Sequence, residues 1–201
     1  MQVNEVGLFT SNDATGASIL TGTPVTSILA IQLPRSDSRA PTNEGADKLF
    51  DGLTNTKYLN FGKENTGFVV TPQSGASVIG SFQISTANDA PGRDPASWVL
   101  YGTNDPITSP DFSQGNLESW TLIDSGALAL PEARMTAGAV VSVSNINSYM
   151  SYRMAFPTLK DGANVNSMQI SEVQFFTIPE PSAICLAMFG LTAAGCLRRQ
   201  R

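Results

Sequence analysis

The 201-residue chain contains no histidine. That removes the Ser-His-Asp and Cys-His catalytic systems, and most zinc sites, together. Its two cysteines, Cys185 and Cys196, both lie in a terminal apolar run. Eleven residues apart on a helix, they stand about 16 Å from one another, too far for a disulfide. What is left for chemistry is oxygen, and three stretches concentrate it. In "KLFDGLTNT" (48–56), an Asp-Gly turn sits among hydroxyls and amides, and by itself it reads as ordinary hairpin punctuation. In "MQISEVQFF" (168–176), Glu172 falls in phase with Met168 and Ile170. If those two face the core, so does the carboxylate, which is costly without a partner. Val173 and Phe175 then take over the apolar phase, so a β-bulge near 171–173 is one explanation. A carboxylate ligand to calcium beside an oxygen-rich turn is the other.

The third stretch, "TANDAPGRDPASWVLYGTND" (86–105), gathers Asn88, Asp89, Arg93 and Asp94 in one loop ahead of Trp98 and Tyr101. Arg93 paired with Asp89 or Asp94 would simply order the loop. Alternatively these side chains form a polar rim for sugar hydroxyls, with Tyr58 or Phe61 as an aromatic stacking plate. Asp89 and Asp94 are the one close acidic pair in such a loop, and glycoside hydrolysis needs paired carboxylates in a cleft. The reading adopted is a binding protein, not an enzyme.

The elements that must position these residues are strands. Charged residues are only 14 % of the chain, and no long helix-forming stretch exists ahead of the terminus. Short strands are expected at 66–71, 78–85, 97–102, 119–124, 139–144, 149–156 and 168–176, separated by Asn/Asp/Gly/Pro-bearing loops. In "YMSYRMAF" (149–156), Tyr152, Met154 and Phe156 share one face, with Arg153 and Ala155 on the other. Such spacing describes an all-β, antiparallel β-sandwich. Residues 17–33 read as early strand or ordered lead-in, and no secretory signal is visible at the N-terminus. Net charge is −5 overall. Residues 1–178 carry 16 acids against 9 bases, a poor match for nucleic acid.

"KLFDGLTNTKYLNFG", "RDPASWVLYGTND", "SWTLIDSG" and "YRMAFPTLKDGANVNSMQISEVQFF", in that order, resemble the galactose-binding-like (discoidin, or factor 5/8 type C) jelly-roll domain. The resemblance implies a carbohydrate-binding-type domain over 45–178, preceded by a lead-in over 1–44. It also implies a structural calcium between the first Asp-Gly turn and the last strand. By motif match the ligands would be the Lys48, Leu53 and Ser171 carbonyls, the Asp51 and Glu172 carboxylates, and Thr56. Many relatives carry Asn or Asp where this chain has Leu53, which leaves only a main-chain ligand there.

The terminus "IPEPSAICLAMFGLTAAGCLRRQR" (178–201) combines Pro179-Glu180-Pro181, an apolar run over 183–197, and the basic residues Arg198, Arg199 and Arg201. It resembles the PEP-CTERM sorting signal. Fifteen helical residues span about 22 Å, short of the ~30 Å hydrocarbon core, so the expected helix is a marginal anchor. The arginines would hold the C-terminus on the cytoplasmic side, and the prolines would keep Glu180 extended and accessible. The resemblance implies export, transient anchoring in the inner membrane through 183–197, and processing of 179–201 by an exosortase-type membrane protease. Exopolysaccharide or another glycan is the expected ligand. A structural or adhesive surface protein with no small ligand is the alternative.

Overall fold

The computed structural model describes residues 25–32 and 39–178, with side chains in the first segment from Ile28 onward. Ten strands are present among these residues: β1 (Val25–Gln32), β2 (Tyr58–Asn60), β3 (Thr66–Pro72), β4 (Ile79–Ser85), β5 (Ser97–Thr103), β6 (Thr121–Ala127), β7 (Val141–Ser142), β8 (Ser151–Phe156), β9 (Met168–Ile170) and β10 (Glu172–Thr177). One sheet has the order β1-β3-β8-β5-β6, a second β10-β4-β7, and β2 pairs with β9. All these ladders are antiparallel. The expected all-β sandwich is therefore observed. The hydrophobic helix expected over 183–197 lies outside the described residues.

Alternation explains the layering. Phe68 from β3, Tyr152, Met154 and Phe156 from β8, and Trp98 and Leu100 from β5 point one way. They meet Phe82 and Ile84 of β4 and Val173 and Phe175 of β10. Phe82 meets Trp98 edge to face at 4.8 Å, and Phe175 packs tilted against Phe68 at 6.3 Å and Tyr152 at 6.0 Å. Such pairs add about 0.5–1.5 kcal/mol each beyond the area they bury. Gly102 is required by a close approach, since a Cβ there would sit 2.3 Å from the Tyr149 ring.

Strand β1 falls within the stretch 17–33 read as early strand or ordered lead-in, and it lies in the five-stranded sheet against β3. Two strand expectations are revised. The strand expected over 139–144 is laddered only at Val141 and Ser142, because it is the outer strand of its sheet and the chain soon turns away. The strand expected over 168–176 is two. It pairs with β2 through Ile170 and with β4 from Glu172 onward, and the apolar phase changes at Ser171.

The sandwich has two ends. Thr66, Ser97, Phe156 and Glu172 mark the upper end, and Pro72, Thr103, Thr121, Ser151 and Thr177 the lower.

Candidate functional site

At the upper end, the 3-10 turn Ala46–Phe50 delivers Asp51 beside the first residue of β10. The Asp51 carboxylate accepts hydrogen bonds from the Leu53 N–H (3.0 Å) and from the Thr56 hydroxyl (3.0 and 2.9 Å). That hydroxyl also lies 2.9 Å from the Leu53 carbonyl. Glu172 is 4 % exposed, and its Oε1 accepts from the Gly52 N–H at 3.0 Å. Burial, then the hydrogen bond and charge of Asp51, push the Glu172 carboxyl up to about 8, against the pull of the Gly52 and Leu53 N–H groups. Lys48 is occupied with Asp47 at 2.9 Å, which holds its ammonium above the ordinary value, first through their hydrogen bond.

Asp51, Leu53, Thr56 and Glu172 thus converge across 120 residues of sequence, while Lys48 and Ser171 are chain neighbours of that corner. The donor set is all oxygen, and its two carboxyl groups are in contact with one another. Such a set suits a hard cation that takes carboxylates and carbonyls. Among the described residues, no group of three or more Asp, Glu, His or Cys residues gathers for a metal, so carbonyls and hydroxyls would have to complete the shell.

Beside this corner lies the loop 86–96. Asp89 is half-exposed and is gripped by Lys57 at 3.0 Å. Lys57 is itself buried and also reaches Gln169 Oε1 at 3.2 Å and Glu44 at 3.9 Å. The Gln169 amide donates to the Asp89 carbonyl. Burial opposes the Asp89 charge, but the hydrogen bonds from Lys57 and Gln169 and the nearby Arg93 outweigh it, so the carboxyl titrates below its usual range. Asn88 is exposed and Arg93 half-buried. These three side chains share one rim.

Two residues expected at that rim are not there. Asp94 is fully buried; it takes two hydrogen bonds from Arg134, at 2.8 and 2.6 Å, and lies 3.3 Å from Lys160. Its partners come from 40 and 66 positions downstream, not from Arg93, and the pairing also removes Asp94 from any acid–base pair with Asp89. Tyr58 is fully buried, and its hydroxyl donates to the Gly67 carbonyl at 2.9 Å. It is a core residue and offers no face to a sugar. Phe61 is half-exposed.

Sequence reasoning missed Lys57, Gln169, Arg134 and Lys160, because no local spacing links them to the loop they fix. It read the long β5–β6 connection as a loop but missed where that loop packs. Residues 104–120 cross the outer face of the five-stranded sheet, where the Gly115 carbonyl accepts from Arg153. They also reach the free edge of β1, where Ser113 bridges to Ile31 and the Ala30 N–H donates to Asp111 at 2.7 Å. Arg153 is buried beneath, 4.2 Å from the Tyr101 ring and 4.8 Å from that of Trp120. Burial lowers the Arg153 pKa, and the neighbouring Tyr101 and Glu118 oppose that shift.

Residues 177–201 match the PEP-CTERM protein-sorting motif. That motif marks proteins exported and anchored transiently in the membrane before surface release. No curated protein matches the sequence. The fold is similar to the family 32 carbohydrate-binding module of Streptococcus pneumoniae EndoD, with a TM-score of 0.53 at 11 % identity over 80 % of this chain and 99 % of that one. It is similar to the CBM32-1 and CBM32-2 domains of Clostridium perfringens ZmpB, with a TM-score of 0.53 at 15 % identity over 76 % of this chain. The match spans only 34 % of that longer chain. The chitosan-binding module 1 of a Paenibacillus sp. IK-5 chitosanase/glucanase also aligns, with a TM-score of 0.50 at 11 % identity over 80 % of this chain and 98 % of that module. The domain therefore has the galactose-binding-like β-sandwich fold.

Proposed function

We propose that this is an exported surface protein whose β-sandwich binds a glycan without transforming it, and whose tail is processed at its sorting motif by an exosortase-type membrane protease. The observation that carries the binding role is the rim at the upper end. There a half-exposed carboxylate is fixed by a buried lysine and a glutamine, with Arg93 and Asn88 beside it. A rigid set of donors and acceptors suits vicinal hydroxyls, because the protein side loses little entropy on binding. The fold's likeness to carbohydrate-binding modules supports the same reading. Exopolysaccharide of the producing cell is the proposed ligand class.

Calcium is proposed at the Asp51–Glu172 corner, held by those carboxylates, the Leu53 carbonyl and Thr56, with Lys48 and Ser171 contributing carbonyls. Its role would be structural, tying the first turn to the last strand and neutralising two adjacent acids.

A glycan array followed by calorimetry tests the binding role. Arg93→Ala is expected to weaken glycan binding about tenfold while the melting temperature stays within about 2 °C, as for a surface substitution. A parent protein that binds no glycan would favour the structural or adhesive alternative, to which the burial of Tyr58 already lends weight by removing one aromatic platform.

A further inference from the structure

The last described strand leaves the sandwich at its lower end. Thr177 pairs with Ile79, and the Ile178 N–H donates to the Val78 carbonyl at 2.9 Å. Around this exit wraps the loop 143–150. Asn145 donates to the Ile79 carbonyl at 3.3 Å, and the Tyr149 N–H to the Ser77 carbonyl at 3.0 Å. Ile146, in that loop, is 90 % exposed. Met150, whose N–H donates to the Thr103 carbonyl, is 42 % exposed. Leu122 is 59 % exposed on β6, opposite Tyr101 and so close to the same end.

From Ile178 to Ala183, where the apolar run of the sorting motif starts, is five peptide steps. Fully extended, five steps reach only about 17 Å. Whatever membrane takes up that run must therefore lie against the lower end of the domain.

We infer that this lower end is a bilayer-contacting surface, with Ile146, Met150 and Leu122 seated in the headgroup–acyl boundary of the membrane that holds the tail. The inference rests on the membrane role proposed for the tail and adds a second contact to it. Three apolar side chains are a weak anchor alone, but a short tether makes their insertion intramolecular, at high effective concentration. The surface has no cationic character. The stretches 73–78, 104–107, 119–124 and 143–150 contain no Lys or Arg, and their charged residues are Asp105 and Asp124, the latter accepting from the Ser144 N–H at 2.9 Å. Contact is thus apolar and does not depend on anionic lipid, unlike polybasic recruitment.

The chain carries its own reporters. Methionine oxidation follows exposure. Met135, whose N–H donates to the Ala87 carbonyl at the upper end, is 48 % exposed, close to the 42 % of Met150. Met188 lies in the apolar run of the motif. Met154 and Met168 are fully buried and report the intact fold.

Full-length protein is floated with phosphatidylcholine vesicles and oxidised with dilute peroxide, and each sulfoxide is quantified by peptide mass spectrometry. Met150 is expected to oxidise at least about threefold more slowly than Met135, with Met188 protected. In the double variant Ile146→Ser/Leu122→Ser, Met150 should return to within about twofold of Met135 while Met188, Met154 and Met168 stay protected. If Met188 is protected but Met150 oxidises as fast as Met135, the surface contact is wrong and the tail reading survives. An oxidised Met188 in floated protein would overturn the membrane role of the tail and this inference with it. Protection of Met150 that requires added phosphatidylglycerol, or that persists in the double variant, would overturn the apolar contact.

Discussion

Asp94 holds two cations at once, Arg134 through a pair of hydrogen bonds and Lys160 at 3.3 Å, with no solvent on its own carboxylate. Removing it would leave two positive charges facing each other in a partly buried site. Asp94→Ala is therefore expected to lose about 3–5 kcal/mol in urea unfolding, the range for breaking a buried pair from one side. A loss below about 1 kcal/mol would show that solvent screens the cluster. Glu172 makes the opposite kind of statement. Its folded pKa, about 8, lies above the ordinary 4.5, so the folded state keeps a proton that the unfolded chain releases. The sign follows from linkage: this contribution is full below pH 4.5 and is lost as pH rises toward 8. In chelator, the melting temperature should fall across that interval. Calcium should restore it, and more strongly at pH 8 than at pH 5, because the ion replaces the proton. Glu172→Gln should flatten both dependences. Identical melting curves with chelator and with millimolar calcium at pH 8 would sink the metal proposal.

The element whose behaviour is least like a plain hairpin connection is the segment 104–120. Its stability hangs on Glu118, which accepts from the Thr108 and Ser109 N–H groups at 2.6 and 2.7 Å and from both hydroxyls. Burial disfavours the Glu118 charge, but those donors prevail and hold its carboxyl below the usual range. The segment in turn covers Arg153, whose guanidinium stacks between Tyr101 and Trp120 and donates to the Gly115 carbonyl at 2.9 Å. Glu118→Ala would strand two N–H groups and two hydroxyls, each worth about 1 kcal/mol or more when left unmet. Hydrogen exchange should accelerate through 105–118 while β3 and β8 remain protected, as for a local opening. Unchanged exchange at Thr108 and Ser109 would mean that packing, not the carboxylate, holds the segment down.

For the molecule as a whole, the proposed roles divide along the axis of the sandwich. The rim and the Asp51–Glu172 corner occupy the upper end, and the sorting motif departs from the lower. A domain tethered by its lower end presents its upper end away from the membrane, which is where a surface glycan would be met. Intact-mass analysis of protein released at the surface should find chains lacking the residues beyond about Pro181. Released chains still ending at Arg201 would leave the tail as a simple anchor.

The strand pattern was legible in the sequence because period-2 alternation is local: "YRMAF" in β8 and "FQIS" in β4 carry it within five residues. The sorting motif was legible for the same reason, since proline pair, apolar run and basic end follow one another directly. Asp51 and Glu172 were linked only through a family resemblance, and the fold brings them into contact. The partners of Asp94 and Asp89 were beyond reach. A buried charge is satisfied by whichever opposite charge the tertiary structure brings near, and Arg134, Lys160 and Lys57 stand 30 to 70 residues from the carboxylates they serve. Arg153 shows the same limit from the other side. Alternation placed it correctly on the outer face of β8, but whether that face meets water was decided by a loop beginning some fifty residues earlier, folding back to cover it.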